Sequence, residues 1–285
     1  MNPGWRPHRA SVPRAAYGKL LLNEFRLIRR TPAGLLVGVG VPLVLLAIFG
    51  SLPATTQAQP ALGGVSFFAQ YVPVLIAFNI ATLGILSMPA PLASYRELGI
   101  LRRLSTTPVP PSWVLGAQLT INTCLAIATT TTILVAASTA FGVGAPNSPA
   151  GFAVAVLLCM AAMFAIGLYI AALARTAPAA NAIGAATFFP LMFFAGLWVP
   201  RQLMPPVLRG ASDITPLGAG VQALQAAWQR AFPPIWTLLV LAGYAALFGW
   251  LAVRFFRWES STGSQSRRDR SHPRDGQRPA ELLAD

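Results

Sequence analysis

Six long stretches without any Asp, Glu, Lys, Arg or His dominate this sequence and constrain its fold more than any other feature. They cover residues 33–52, 71–93, 113–140, 151–174, 177–200 and 231–253. A helix needs about 20 mostly apolar residues to cross the hydrocarbon core of a bilayer, and each stretch is about that long. Only 10% of the residues are charged, too few to cover the surface of a soluble domain. The sequence therefore predicts an all-α, polytopic membrane protein with six transmembrane helices.

The positive residues predict the orientation of these helices. Of the 21 Lys and Arg residues, 18 lie before the first stretch, after the second, after the fourth or after the sixth. The other three, Arg201, Arg209 and Arg230, lie in the fifth connection, and the first and third connections carry no charge. Because cytoplasmic loops carry an excess of Lys and Arg, we expect both termini in the cytoplasm and the fifth connection outside.

The net charge of +13 has two possible explanations. A basic excess is typical of nucleic-acid-binding proteins. Here the positive residues are spread over the predicted cytoplasmic loops and tails, where they orient the spans and attract anionic lipid headgroups. We therefore expect contact with the lipid bilayer and no nucleic-acid partner.

The predicted spans lack the groups that most membrane chemistry needs. No ionisable side chain lies deep within a span, which argues against a proton relay of the kind that proton-coupled transporters use. No phosphate-binding loop of the form G-x-x-x-x-G-K-[ST] is present, and the only lysine is Lys19. We expect no catalytic residue, no metal site and no cofactor on this chain. Any work that it performs must draw its energy from another subunit.

The chain divides into three parts on composition. Residues 1–32 form a cytoplasmic N-terminal segment, in which Leu21, Phe25 and Ile28 recur at helical spacing and predict an amphipathic interfacial helix over residues 17–30. Residues 33–258 form the six-helix transmembrane domain. Residues 259–285 are rich in Ser, Arg, Asp, Gly and Pro, and we expect a disordered cytoplasmic tail.

The second connection, residues 94–112, is the most specific segment of the sequence. Ile100, Leu101 and Leu104 are spaced to form one apolar ridge of a short helix, which the prolines that follow would end. Such a helix beneath the membrane suits docking on a soluble partner. The alternative is that its arginines only fix orientation and that Gly99 is only a turn.

Two motifs give the chain a family resemblance. The first is Arg96-Glu97-x-Gly99-x-Leu101-x-Arg103-Leu104-x-x-Thr107-Pro108-Val109, and the second runs from Phe189-Pro190 through Gly196-Leu197-Trp198-Val199-Pro200. Together they resemble the coupling segment and the fifth span of type-2 ABC exporter permeases, of the multidrug or antibiotic-export kind found in actinobacteria. The resemblance covers residues 17–257. One departure is Ile100, where many members have a small or hydroxyl residue.

The resemblance implies a transport subunit of the cell membrane and no enzyme activity on this chain. It would pair with a second, identical permease and bind an ABC ATPase subunit, which would hold ATP and Mg²⁺. The residues expected to transmit motion from the ATPase are Arg96, Glu97, Gly99, Leu101, Arg102 and Arg103. Those expected to make a second contact through the entry helix are Glu24, Arg26 and Arg29.

The implied cargo is a hydrophobic or amphipathic compound, such as a drug or antibiotic, which is moved out of the cell. Two alternatives from other classes stay open. One is a self-sufficient secondary carrier or channel, and the other is a membrane assembly or regulatory protein that transports nothing. Transport without any ATPase would favour the first alternative, and partner binding without transport would favour the second.

Uncharged polar and aromatic residues within the spans are candidates for a substrate pathway. They are Asn79, Asn122, Asn181, Phe189 and Phe193. Amide groups can meet an amphipathic substrate without the cost of burying a charge. Hydrogen bonding between helices explains the asparagines equally well, and aromatic clusters in spans often serve packing alone.

The fifth connection contains a second amphipathic segment. Its apolar positions Leu217, Val221, Leu224, Trp228 and Phe232 share one helical face. In the resembled family this region forms short helices that close the pathway on the outside. A plain interfacial helix, with Trp228 at the level of the lipid headgroups, is the alternative.

Overall fold

A computed structural model of the chain describes residues 17, 18, 22, 36–57, 66–99, 112–229 and 232–255. Helices connected by short turns and loops make up this part of the chain, which contains no β-strand. Its main helices, in chain order, are α1 (Leu36–Ser51), α2 (Phe67–Glu97), α3 (Ser112–Phe141), α4 (Pro149–Leu173), α5 (Ala177–Phe194), α6 (Pro206–Ile214), α7 (Pro216–Gln229) and α8 (Ile235–Phe255).

The long helices coincide with the predicted spans. Five helices, α2, α3, α4, α5 and α8, are long and apolar enough to cross a membrane. The first predicted stretch holds the shorter apolar helix α1, and residues 33–35 of that stretch lie outside the described part. The prediction of an all-α polytopic membrane protein is confirmed, with five of the six predicted spans reaching spanning length within the described residues.

Hydroxyl side chains set the starts of three helices. The Oγ of Ser66 accepts a hydrogen bond from the backbone N–H of Ala69 at the start of α2, at 3.2 Å. Ser148 caps α4 and Thr176 caps α5 in the same way. These caps satisfy N–H groups that the first turn of a helix leaves unpaired.

The fifth span ends earlier than the sequence predicted. Its uncharged stretch reaches residue 200, but α5 ends at Phe194. Gly196 adopts a left-handed conformation, with φ at 85°, and Leu197 N–H donates to the carbonyl of Met192. This hydrogen bond belongs to the glycine-terminated turn that commonly ends helices. The absence of charge marks membrane-compatible sequence, and the glycine decides where the helix stops.

Helix α2 lies at the centre of the bundle. In the most apolar 18 residues of α2, 89% of the residues are buried, whereas only 17% of the residues are buried in the equivalent part of α8. The side chains of Val72, Ile76 and Ile80 are completely buried. Because α2 is enclosed by the other helices, any shift of α2 must be accompanied by repacking of its neighbours.

The middle of α2 is wound as a π-helix over Thr82–Ser87. The N–H of Met88 donates to the carbonyl of Leu83, five residues earlier, at 3.2 Å. Pro89 follows directly; it has no N–H, and its ring excludes an ordinary α-turn before it. The wider turn therefore joins two α-helical halves of one spanning element, as single π-turns commonly do.

Three glycines bring α2, α4 and α5 into close contact at this π-helical segment. A Cβ atom on Gly84 would lie 2.9 Å from the backbone carbonyl of Met163 in α4, and one on Gly184 would lie 2.8 Å from the carbonyl oxygen of Ile85. A Cβ atom on Gly167 would overlap the carbonyl oxygen of Gly84. The backbones of α2, α4 and α5 therefore approach more closely than they could if any residue larger than glycine stood at these positions.

The segment from Ala195 to Gln229, which we call the outer segment, contains α6 and α7. Four of the predicted apolar positions of α7, Leu217, Val221, Leu224 and Trp228, are buried. The fifth, Phe232, lies beyond the end of α7 and is 55% exposed, so it does not share that face. The indole of Trp228 packs edge-on against Phe152 of α4, with ring centroids 5.8 Å apart. Trp228 is therefore covered by protein side chains rather than exposed on the surface of α7.

Candidate functional site

The guanidinium of Arg96 closes the end of α4. Arg96 lies in the last turn of α2, and its Nη1 donates to the carbonyls of Ala171 and Ala172 at 3.0 Å and of Ala174 at 3.3 Å. The last carbonyls of a helix have no partner within the helix and carry the negative end of its dipole. A charged donor is therefore well matched to this position, and it fastens α2 to the end of α4.

The side chain of the neighbouring Glu97, the last residue of α2, reaches the start of α5. Its carboxylate Oε2 accepts a hydrogen bond from the N–H of Ala177, the first residue of α5, at 3.4 Å. The N-terminus of a helix carries unpaired N–H groups and the positive end of the dipole, so a carboxylate is favourable there. Arg96 and Glu97 thus bind the opposite ends of two consecutive helices across the short turn at Arg175.

The structure describes only part of the predicted coupling residues. Helix α2 extends through Glu97, and Gly99 follows with a left-handed φ of 65° and open space around it. The predicted residues Leu101, Arg102 and Arg103 lie outside the described part, as do the predicted entry-helix contacts Glu24, Arg26 and Arg29.

Tyr17 links the N-terminal segment to α3. Its hydroxyl is hydrogen-bonded to the Oγ1 of Thr120 at 3.0 Å, and its ring packs edge-on against Trp113 at 5.5 Å. Tyr17 and Gly18 are helical, and apart from Leu22 the rest of the predicted helix over residues 17–30 lies outside the described part. The start of this segment is therefore positioned at the same end of the bundle as the start of α3.

Two of the predicted pathway residues are buried among the helices. Asn79 is completely buried, and its amide nitrogen donates to the carbonyl of Gly38 in α1. The amide nitrogen of Asn122 donates to the carbonyl of Gln118, one turn earlier in α3, at 2.8 Å. Both contacts are hydrogen bonds between or within helices, which is the second of the two explanations that the sequence allowed.

The other three predicted pathway residues lie on the outer surface of the bundle. Asn181 and Phe189 are exposed on α5, where Phe189 is 58% exposed, and Phe193 is partly exposed. The structure of one chain therefore does not bring the five predicted residues around a common cavity. It places two in the interior and three on an outward face of α5.

A polar network in the outer segment was not predicted from the sequence. The guanidinium of Arg201 forms an ion pair with Asp213 of α6, and Gln222 of α7 donates to the same carboxylate oxygen at 2.9 Å. The sequence offered one signal, since Asp213 is the only acidic residue in the fifth connection. Its partner could not be inferred, because three arginines lie in that connection.

The described residues contain no group of three or more His, Cys, Asp or Glu side chains that could hold a metal ion. Two groups of polar contacts lie near the ends of the bundle. At one end Arg96 and Glu97 connect α2, α4 and α5. At the other end the contacts of Asp213 connect the turn after α5, α6 and α7.

Comparison with known protein families identifies the family of this chain. A family described as "ABC-2 type transporter" matches residues 16–228, from the N-terminal segment to the end of α7. The chain belongs to the ABC-2 type transporter family. Members of this family are the membrane subunits of transporters whose ATPase is a separate partner, so this ABC-2 chain is a multi-pass transport permease of the cell membrane that works with an ABC ATPase.

One relative supports the same conclusion. The ABC-2 chain is similar to the protein named "Putative transport permease ycf38" from Porphyra purpurea. The two are 28% identical over 213 residues, which cover 72% of this chain and 71% of the relative. The similarity thus extends over most of both proteins and agrees with the family resemblance carried by the two motifs.

Proposed function

We propose that this ABC-2 permease moves a hydrophobic or amphipathic compound, of drug or antibiotic type, out of the cell. Its energy comes from a separate ATPase that binds ATP and Mg²⁺. The uncharged spans favour a cargo of this class, because an apolar or neutral polar compound can pass them without an intramembrane counter-charge. The predicted orientation, with the second connection in the cytoplasm, places the ATPase at the end of the bundle that holds Arg96 and Glu97.

The contacts of Arg96 and Glu97 are the observation that supports coupling of this permease to its ATPase. They join the last turn of α2 to the end of α4 and the start of α5. Force applied to the connection after Glu97 would therefore reach three helices together. The close backbone contacts at Gly84, Gly167 and Gly184 continue this link into the centre of the bundle. Rigid-body movement of packed helices is one of the standard ways in which such force opens a path.

We further propose that two copies of the permease pair along α5. The exposed face of α5 carries Asn181, Ala182, Ala186 and Phe189. Small residues four apart allow two helices to approach closely, and an amide gains a hydrogen-bond partner when a second helix covers it. Pairing on this face would place the predicted pathway residues Asn181, Phe189 and Phe193 between the copies.

Helix α8 presents a different surface, which supports this choice of face. Its exposed positions include the large apolar residues Leu239, Leu247, Trp250 and Val253, with the small residues Gly243 and Ala246 between them. Such large side chains are well solvated by lipid tails and give no reason for close approach of another backbone. We therefore assign the exposed face of α8 to lipid.

Purification of the tagged permease from its native membranes in mild detergent tests the partnership with an ATPase. We expect mass spectrometry to find a stoichiometric protein with an ATP-binding loop. This protein should be lost when residues 96–103 are replaced. A permease that moves compounds without any ATPase would instead be a self-sufficient carrier. If no ATPase is recovered even after cross-linking, the export proposal fails.

The coupling role of Glu97 is tested by Glu97→Ala in cells that also express the ATPase. We expect efflux of Hoechst 33342 to fall by about tenfold, since loss of one charge-assisted contact is worth roughly 1.5–3 kcal/mol. Membrane insertion should be unchanged. Arg254→Ala removes an exposed charge at the end of α8 and serves as the control. Efflux at the wild-type rate in Glu97→Ala would exclude the coupling assignment.

A further inference from the structure

The carboxylate of Asp213 joins three elements of the outer segment. One of its oxygens, Oδ1, is in contact with Arg201 Nη2 and accepts the hydrogen bond from Gln222. Arg201 belongs to the short turn after α5, Asp213 to α6 and Gln222 to α7. This ion pair is the only salt bridge in the described part of the chain. One carboxylate therefore links all three elements.

A cleft lies beside this network, between α2 and the outer segment. Its walls include Gln70 and Tyr71 of α2, Val221 and Gln225 of α7, and Arg201. Its volume is about 20 Å³, which is enough for one water molecule. In this conformation no drug-sized compound could pass, so the cleft is closed.

Two hydrogen bonds cross from α2 to the outer segment along the cleft. The hydroxyl of Tyr71 donates to the carbonyl of Leu197 at 3.0 Å, and Gln225 Nε2 donates to the carbonyl of Gln70 at 3.1 Å. Arg201 lies both at the wall of the cleft and in the ion pair, and its Nε is buried without a partner among the described residues.

We propose that Arg201, Asp213 and Gln222 form a latch that holds the predicted outer exit closed. When the latch breaks, the turn after α5 separates from α7, which are two walls of the cleft that the latch joins, and the outer end of the path between the two copies opens. This inference rests on the proposed export function and identifies the groups that control its last step. The anchor of the outer segment stays in place, because Ser212 Oγ donates to the carbonyl of Phe194 at 2.6 Å and holds α6 to the end of α5.

The chemistry of the latch suits reversible opening. The ion pair is partly exposed, with 27% and 33% of the two side chains accessible, so water can solvate both charges when they separate. A wholly buried pair would resist separation far more strongly, because each charge would be left without a partner. Neutralising Asp213 removes the ion pair with Arg201 and weakens the hydrogen bonds from both Arg201 and Gln222, because an amide oxygen is a weaker acceptor than a carboxylate oxygen.

Cysteine accessibility tests the latch without any knowledge of the substrate. Ala195 lines the cleft and is 3% exposed, so Ala195→Cys reports on opening. The reporter is placed in a chain carrying Cys124→Ala and Cys159→Ala, and intact cells that express the ATPase are treated with a membrane-impermeant maleimide. We expect slow labelling of the parent and about a tenfold faster rate with Asp213→Asn, because a contact to a charged group has been lost.

Three controls accompany this experiment. Gly210→Cys lies on α6 in open space and should be labelled equally fast with and without Asp213→Asn. Val207→Ala changes a side chain of the same helix that is 82% exposed and should leave the rate at Ala195→Cys unchanged. The charge exchange Arg201→Asp with Asp213→Arg should restore slow labelling. If Asp213→Asn does not reach the membrane, Gln222→Ala breaks one arm of the latch and should raise the rate by a smaller factor.

The outcomes separate the latch from the export proposal. Equal labelling of Ala195→Cys in the parent, Asp213→Asn and Gln222→Ala would overturn the latch, as would failure of Gly210→Cys to react from outside. Faster labelling in Asp213→Asn supports it. Depletion of ATP then tests export separately. If ATP depletion leaves the labelling rate of the parent unchanged while Asp213→Asn still raises that rate, the latch is supported and ATP-driven export through this exit is wrong.

Discussion

At the residue scale, Arg96 shows how one side chain acquires a structural role that its position in a motif does not reveal. The motif suggested a contact with the ATPase, and the structure shows three hydrogen bonds to the end of α4. The two roles are compatible, because a residue that fixes helix ends beside a docking segment also transmits movement from it. The coupling role of Arg96 stays a prediction.

Replacing Arg96 with Ala should destabilise the permease. The three carbonyls would lose a charged donor, which is worth roughly 1.5–3 kcal/mol. We expect a lower midpoint of thermal aggregation for the detergent-solubilised protein, followed by fluorescence-detected size-exclusion chromatography. Arg175→Ala, which removes an exposed arginine from the adjoining turn, should have little effect. Equal stability of the two variants would contradict the capping role.

At the scale of elements, most helix positions were predictable and their contacts were not. Charge-free stretches predicted the spans because hydropathy is a property of each segment by itself. The early end of α5 depends on Gly196, whose left-handed conformation is not visible in composition. The π-helical segment and the glycines that pack against it join parts of the chain about 80 residues apart (Gly84 and Gly167), and no local pattern carries that information.

The junction of α2, α4 and α5 gives a prediction at this scale. Gly167→Ala should force the backbones of α2 and α4 apart, because the added Cβ would overlap the carbonyl oxygen of Gly84. Overpacking of this kind costs about 1–3 kcal/mol, and we expect lower thermal stability and reduced efflux. Gly243→Ala on α8 adds the same methyl group in open space and should be tolerated. Normal stability of Gly167→Ala would show that the helices do not pack as described.

At the scale of the whole molecule, the predicted pathway residues gain a common location only through pairing. One chain places Asn79 and Asn122 inside the bundle and Asn181, Phe189 and Phe193 on its outside. A second copy on the exposed face of α5 would enclose the latter three. The pathway would then lie between two permeases, and Asn79 and Asn122 would serve helix packing.

Disulfide cross-linking in native membranes tests this pairing. In the chain without native cysteines, Ala186→Cys on α5 should form a dimer after mild oxidation, since the same position of two copies would face itself across a two-fold axis. Leu247→Cys on the exposed face of α8 is the control and should stay monomeric. Cross-linking at Leu247→Cys, with none at Ala186→Cys, would assign the interface to α8 and contradict the proposed pathway.

The sequence by itself determined that this protein is a polytopic helical membrane protein of the ABC-2 type, because apolar length, the placement of positive charge and two short motifs are all local properties. Only the tertiary structure decided which groups meet. It showed that Arg96 and Glu97 bind helix ends about 80 residues further along the chain, and that Asp213 pairs with Arg201 rather than with another arginine. It also showed that one face of α5 is uncovered. Such contacts depend on how the helices pack in three dimensions, and residues far apart in sequence carry no local trace of that packing.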